Sequence, residues 1–449
     1  MNLNQPLHFP SVAVYAESGD YIVHNHTLNS WVVFSPEEYE VVSDFIYEHR
    51  TPNQLIEEGV PANLVKGLLG KLLMYKIGYQ GDKPAEYENY ERMTEGGLGK
   101  IIPNSVYFVT SYRCNLSCIY CYAESSPERS VKGDLSTEEA LDMIRQIKEL
   151  GARTIIFTGG EPLLRPDIFE LMEYSKELGL RVNIITNGTL INNMEKAKRL
   201  ADVCSFITVS FDSLDKESHE VNRGLNTWEK AKKAIDMLLE LGAPMKINQT
   251  VTNRNKDSVN PMFDFAREKG ISVNVMPVTT LGRGDENSHG LDLFERRVIE
   301  ERRMELEMEE IESSCGTGGC SPVQLKQFNR TWQCGHGTSE FSIDGKGNVF
   351  PCKLMHSELF HAGSIRETPL REIWENSPVF TSSRRRTVHT LPDCKVCTFR
   401  EWCGGGCRGA QWGATGKVDG THYQECGFIR RSYRKRMWAY FRAEGVGSK

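Results

Sequence analysis

Near the N-terminus, apolar residues gather in three short β-rich runs, SVAVYAE, YIVHN and WVVF, broken at Gly19-Asp20 and between Asn25 and Asn29. Three amphipathic stretches follow, PEEYEVVSDFIYEH, TPNQLIEEG and PANLVKGLLGKLLMYK, the first opened by Ser35 as an N-cap before Pro36. Three strands followed by three short helices is the pattern of a small winged-helix module. The polar, glycine-bearing stretch GDKPAEYENYERMTEGGLGK then reads as a linker.

Between residues 105 and 280 the pattern changes to continuous apolar strands alternating with amphipathic helices: SVYFVTS, RTIIFTGG, RVNIITNG, FITVSFDS, MKINQTV and SVNVMPVT. The helix STEEALDMIRQIKELG is capped by Ser136, with Glu139 at the capping-box position. Strands with no polar alternation are buried on both faces, which predicts a parallel sheet covered by helices, here a partial (β/α)6 barrel within an α/β fold. Polar residues collect at the C-terminal ends of these strands, at Cys114, Gly159, Gly160, Glu161, Thr186, Asn187, Ser210 and Asp212, where α/β barrels place their chemistry. LDLFERRVIEERRMELEMEEIESS reads as a long bridging helix with a solvated charged face. Beyond it, glycine and cysteine increase and regular patterns shorten, as in a domain held together by metal. The predicted division is 1–95, 96–312 and 313–449.

At 449 residues the chain exceeds one ordinary core, and 39% hydrophobic with 25% charged residues is a globular composition. No apolar run approaches the roughly 20 residues a membrane span needs, and the first residues lack the order of a signal peptide. These features predict a cytoplasmic protein with no membrane partner. A net charge of -6 argues against a nucleic-acid binder. The basic tail RRSYRKRMWAYFR reads as a solvated helix. In a reducing compartment, thirteen cysteines, twelve of them clustered, mean metal rather than disulfides. Three fall within 114–121 and nine beyond residue 314, while Cys204, alone in CSFITVSF, reads as a buried core thiol.

The segment SYRCNLSCIYCYAE follows the first barrel strand and spaces its thiols as Cys-x3-Cys-x2-Cys. Three thiolates hold three corners of a cubane and leave one iron open to a ligand, whereas a structural site is closed by four. A three-cysteine zinc site with a distant fourth ligand is the alternative. With Tyr120 before the last cysteine and Gly159-Gly160-Glu161-Pro162 at the end of the second strand, the segment resembles the radical S-adenosylmethionine (SAM) superfamily. That resemblance implies a [4Fe–4S] cluster on Cys114, Cys118 and Cys121. Its open iron chelates SAM, whose cleavage yields a 5′-deoxyadenosyl radical that abstracts a substrate hydrogen. It further implies SAM contacts from Tyr120, Gly159, Gly160 and Glu161, the last accepting from the methionine ammonium. Asn187, Ser210 and Asp212 end the next strands at the level of the methionine and ribose. Arg223, in HEVNRG, resembles the family arginine that pairs with the methionine carboxylate.

Farther on, CGHGTSEFSIDGKGNVFPC sets Cys334 and Cys352 at the ends of a strand–turn–strand, with Gly345 and Gly347 at the turn. DCKVCTFREWCGGGC supplies Cys394, Cys397, Cys403 and Cys407, and Cys426 follows in YQECGF. Seven cysteines exceed one zinc tetrad. The pattern resembles the SPASM domain, which implies two auxiliary [4Fe–4S] clusters, for three in all. The first would use Cys334, Cys352 and Cys407, and the second Cys394, Cys397, Cys403 and Cys426. For the fourth ligand of the first, Cys320 is favoured over Cys315, and substrate is the other possibility.

In peptide-maturing members of this family a winged-helix-like element grips the leader of a precursor peptide, and residues 1–95 resemble it by pattern. The resemblance implies a maturase that forms thioether crosslinks from cysteine to an acceptor carbon, as sactipeptide and ranthipeptide enzymes do. A sulfatase-type maturase making formylglycine, or another SPASM peptide oxidoreductase, is the alternative. An external electron donor such as flavodoxin or ferredoxin is implied as a partner, and no residue is singled out as an acid or base catalyst.

Overall fold

A computed structural model of the chain describes residues 1–86, 101–284, 289–315, 331–420 and 423–446. The predicted linker lies largely outside these residues, as does Cys320.

The N-terminal module forms as its pattern predicts. Strands β1 (Val12–Glu17), β2 (Asp20–Asn25) and β3 (Ser30–Phe34) make an antiparallel sheet in the order β1-β2-β3. Helices α1 (Pro36–Tyr47), α2 (Pro52–Glu57) and α3 (Ala62–Met74) follow. The Ser35 hydroxyl accepts from the Glu38 amide and the Glu38 carboxylate from the Ser35 amide, satisfying two orphan donors at the start of α1. Alternate residues of β3 face opposite ways. Val32 and Phe34 pack with Phe45, Leu55 and Leu69 of the helices, while Trp31 and Val33 pack with Phe399, Met437 and Tyr440. Trp31 Nε1 donates to the Met437 carbonyl at 2.9 Å. The sheet is therefore covered on both faces, by its own helices and by the C-terminal region.

The six predicted barrel strands all form: β4 (Ser105–Val109), β5 (Thr154–Thr158), β6 (Arg181–Thr186), β7 (Phe206–Ser210), β8 (Met245–Val251) and β9 (Ser272–Pro277). They pair in parallel in chain order. Helices such as Thr137–Leu150 and Trp228–Glu240 bury Ile144, Ile147, Ala234 and Leu238 against Ile155, Ile207 and Ile247 of the strands. On β8, Met245, Ile247, Gln249 and Val251 are buried, whereas Lys246, Asn248 and Thr250 are half-buried on the opposite face, toward the lumen.

The sheet does not stop at the barrel. β10 (Glu340–Ile343) pairs in parallel with β4, setting Ser342 opposite Tyr107, and β11 (Asn348–Phe350) and β12 (Gly363–Ser364) extend it to nine strands. The cysteine-rich region thus continues the barrel sheet across the predicted division at 312/313. Gly347 takes a φ of +88° at the β10–β11 turn, the left-handed conformation glycine accepts without strain.

Two sequence expectations need correction. The helix Leu293–Cys315 is not simply a solvated bridge, because it runs along the helix Tyr423–Val446 with ion pairs Arg296–Glu425 at 2.6 Å and Arg436–Glu300 at 3.1 Å. The basic tail is likewise not a solvated helix. Met437 and Tyr440 are buried against the N-terminal sheet, and Arg434 and Arg442 pair with Glu17 and Asp20. Both sequences read as charged surfaces because their partners are far away in the chain. Among the described residues no helix is long and apolar enough to cross a membrane.

Candidate active site

The chain leaves β4 through Thr110 and Ser111 and turns back across the end of β5 before reaching Cys114. The Gly160 amide donates to the Ser111 carbonyl at 2.8 Å and the Glu161 amide to the Arg113 carbonyl at 3.0 Å. A Cβ on Gly160 would sit 2.1 Å from the Arg113 carbonyl oxygen, and one on Gly159, at φ +133°, 2.5 Å from that of Ser111. The two glycines are required because the cysteine loop itself packs on them, whatever else binds there.

The loop is held from beneath. The Ile119 amide donates to the Asn222 carbonyl at 3.0 Å. Arg283, just past β9, donates from Nε to the Cys118 carbonyl at 2.9 Å and from Nη2 to the Ser125 carbonyl at 2.7 Å, and its own amide donates to the Cys121 carbonyl at 3.0 Å. A Cβ on Gly282 would meet the Tyr122 and Cys121 carbonyl oxygens at 2.5 and 2.6 Å. Gly282 and Arg283 escaped the sequence reading. Their only signal is LGRG after a barrel strand, which looks like any glycine-bearing turn.

Cys114, Cys118 and Cys121 are free thiols. Burial pushes Cys114 up to about 12 and Cys118 up to about 11, and the three sulfurs act on one another electrostatically. Buried thiols ionise when a metal supplies the missing positive charge, so this donor set suits iron. Among the described residues, no three ligating side chains converge tightly enough for a single ion.

The expected SAM contacts surround this loop. Glu161 is 2% exposed, and its Oε1 accepts from Leu163 N and Thr186 Oγ1 while Oε2 accepts from Asn187 N. Three of about four carboxylate lone-pair sites are in use, leaving one on Oε2 for an ammonium donor. Burial raises its pKa despite these bonds. Asn187 Nδ2 lies 3.8 Å from Cys114 Sγ and donates to Asn115 Oδ1 at 2.9 Å. On the other side, fully buried Asp212 accepts from Tyr120 Oη at 2.6 Å and from Arg223 Nη2 at 2.9 Å, with the guanidinium 5.6 Å from the Tyr120 ring centre. Among the described residues, the buried Arg223 Nε has no hydrogen-bond partner, so part of its fork could take an incoming carboxylate. Ser210 ends β7 on the lumen face, opposite Asn248.

The auxiliary cysteines fall into two electrostatic neighbourhoods. Cys334 and Cys407 both act electrostatically on Cys352, and burial raises the pKa of Cys334 and Cys352. Cys394 is influenced by Cys397, Cys403 and Cys426 and is pushed up to about 11 by burial. Tyr433, unforeseen from the sequence, acts on the Cys403 thiol and lowers its pKa against the larger effect of burial. Cys204 lies buried in the barrel core, away from all three sets, as expected.

Comparison with known proteins places the chain in a family. Residues 108–287 match the radical SAM superfamily and residues 334–398 the SPASM iron–sulfur cluster-binding domain. The chain is 32% identical over 328 residues to the AdoMet-dependent heme synthase of Methanosarcina barkeri, covering 68% of this chain and 90% of that protein. It is 29% identical over 324 residues to the PqqA peptide cyclase of Gluconobacter oxydans, covering 71% and 89%. In fold it is similar to Streptococcus suis SuiB bound to the precursor peptide SuiA, with a TM-score of 0.55 and 18% identity over 93% of this chain and 98% of that one. The chain belongs to the radical SAM superfamily and carries a SPASM iron–sulfur domain after its barrel.

Proposed function

We propose that this enzyme is a SPASM peptide oxidoreductase. Residues 1–95 grip the leader of a ribosomally made precursor peptide, and a residue of its core region is oxidised in the barrel lumen of residues 96–312. The observation that carries this reading is the seating of the N-terminal sheet. Trp31 and Val33 are locked against Met437 and Phe399, two residues from Cys397, while Val32 and Phe34 are locked against the module's own helices. With both faces covered, only the strand edges remain for a ligand, and an extended peptide pairs with such an edge through its backbone. The fold likeness to SuiB spans this module, and the Gluconobacter relative is named for a peptide substrate.

Superfamily membership brings SAM and iron–sulfur binding with it. SAM bound at a [4Fe–4S] cluster supplies a 5′-deoxyadenosyl radical able to take a substrate hydrogen. The Cys114, Cys118 and Cys121 thiolates would hold that cluster, with Arg283, Gly159 and Gly160 fixing the loop. Glu161 and Arg223 would orient the methionine ammonium and carboxylate, with Tyr120, Asn187, Ser210 and Asp212 completing the pocket. Cys334, Cys352 and Cys407, with Cys320 or substrate as a fourth ligand, and the set Cys394, Cys397, Cys403 and Cys426 would hold two further clusters. These would pass the substrate's second electron to a cytoplasmic flavodoxin or ferredoxin. Thioether and formylglycine are both products within this class. The relative named a peptide cyclase favours the broader class over thioether formation in particular.

The test is anaerobic incubation of reconstituted enzyme, SAM and reductant with the short peptide encoded beside its gene, followed by mass spectrometry and thiol alkylation. A loss of about two daltons per event follows from removing two hydrogens. A thiol closed to alkylation identifies the thioether, and a carbonyl-reactive product identifies formylglycine, which from serine also loses two hydrogens but from cysteine loses about 18 daltons, because water replaces the sulfur released as sulfide. Deoxyadenosine formed while the peptide mass stays unchanged would contradict the reading.

A further inference from the structure

Just past β6, the side chain of Asn187 is fully bonded. It is 8% exposed. Its Oδ1 accepts from the Thr189 amide at 2.9 Å and from Thr189 Oγ1 at 2.7 Å, an Asx turn that closes over Gly188. Its Nδ2 donates to Asn115 Oδ1 at 2.9 Å and lies 3.8 Å from Cys114 Sγ, within reach of a hydrogen bond to sulfur. A backbone amide can only donate, so Thr189 fixes which end of the side chain is oxygen and which carries the hydrogens. Two lone pairs and two N–H hydrogens are the whole capacity of this group. Nothing is left over for the methionine or ribose that the resemblance set beside it.

Cys114 Sγ has a second donor, the Leu116 amide at 3.4 Å, and Cys121 Sγ has the Ser125 amide at 3.4 Å. Those donors belong to the backbone of the cysteine loop itself. Asn187 reaches the sulfur from the next strand end but one, and as a side chain it is a donor that substitution can remove. Hydrogen bonds to ligand sulfurs help set the potential of an iron–sulfur cluster. The reduced cluster carries one more negative charge than the oxidised one, so an N–H donor at a ligand sulfur favours the reduced form and raises the potential. Burial strengthens the effect, because little water competes for the bond. We propose that Asn187 acts through Cys114 to make the barrel cluster easier to reduce, and that it walls the SAM pocket without bonding to the cofactor. The inference rests on the reading of Cys114 as a cluster ligand and goes beyond it by assigning Asn187 to the metal centre.

Its test is an EPR-monitored potentiometric titration of intact, anaerobically reconstituted enzyme without SAM. Wild type is compared with Asn187→Leu, which keeps the volume and removes the amide, and with Asn187→Ala, which removes it without adding bulk. The barrel cluster is identified by the change in its signal when SAM is added afterwards. At a fixed potential, the ratio of reduced to oxidised barrel cluster should fall about tenfold in both variants, equivalent to about 59 mV for one electron. The auxiliary clusters should keep their wild-type potentials. A wild-type barrel potential in variants that hold full iron would overturn the proposal, and weaker SAM binding at that unchanged potential would return Asn187 to the cofactor contacts. Loss of the barrel iron from both variants would make Asn187 a scaffold residue and overturn the proposal as well. Wild type without a SAM-responsive cluster would defeat the ligand reading itself, a result distinct from an unchanged potential. No peptide enters the titration, so its outcome stands apart from whether a precursor is oxidised.

Discussion

Arg283 and Cys118 are joined by a 2.9 Å hydrogen bond from guanidinium Nε to the cysteine's backbone carbonyl, across 165 positions of sequence. The last strand of the barrel thereby fixes the loop that follows the first. Charge-assisted bonds of this kind contribute about 1.5–3 kcal/mol each. Replacing Arg283 with Lys removes the planar fork that reaches both carbonyls. The expected result is a drop of about tenfold or more in reductive SAM cleavage, an altered EPR signal from the barrel cluster, and unchanged auxiliary iron. An R283K enzyme with wild-type spectrum and rate would show that the loop needs no such support.

The grouping of the cysteines predicts iron content. With three [4Fe–4S] clusters, the reconstituted enzyme should hold about twelve irons, and the Cys114/Cys118/Cys121 triple alanine variant about eight with no SAM cleavage. Cys204→Ala should lose none, since that thiol is core packing. Iron and sulfide assays decide between these values and a zinc protein.

Gly160 gives a sharper steric test. The Cβ of alanine would lie 2.1 Å from the Arg113 carbonyl, a backbone atom that cannot swing aside as a side chain would. G160A should displace the cysteine loop and reduce SAM cleavage by about a hundredfold, equivalent to about 3 kcal/mol. Retention of a normal barrel-cluster spectrum would contradict this.

The seam between the N-terminal module and the C-terminal region should respond to acid. Burial holds fully buried His24 near 3, assisted by His26 and Arg400 and opposed by Asn29; His26, facing Arg400 and Glu401, is held near 4. Folded values below the ordinary 6.5 mean that the unfolded chain binds more protons. This stability is therefore present above pH 6.5 and is lost as pH falls toward the folded values. Thermal melts at pH 7.5 and 5.5 should show a smaller acid-induced fall for His24→Phe than for wild type. Equal falls would remove His24 from the account.

Most of the fold was legible in sequence because its signals are local. The alternation of β3, the unbroken strands β4 to β9 and the Ser35 and Ser136 caps each announce themselves within a few residues. The cysteine motifs stood out through their spacing, while their division into sets came only with the family resemblance. What stayed hidden depends on partners far apart in the chain. Arg283 looks like a surface arginine until β9 brings it beneath Cys118. The tail helix looks solvated until Trp31 meets Met437. Ser342 and Tyr107 reveal that the C-terminal region extends the barrel sheet only when β10 pairs with β4.

A peptide residue that gives up a hydrogen in this lumen would leave that hydrogen in the cofactor product. The most direct measurement is isotope transfer, using the neighbouring precursor peptide made with deuterium on the carbon-bound positions of its core residues. The account predicts deuterium in the methyl group of 5′-deoxyadenosine, in proportion to peptide that has lost about two daltons of hydrogen, or the corresponding label, per event. Deoxyadenosine that stays unlabelled while the peptide is recovered intact would contradict it.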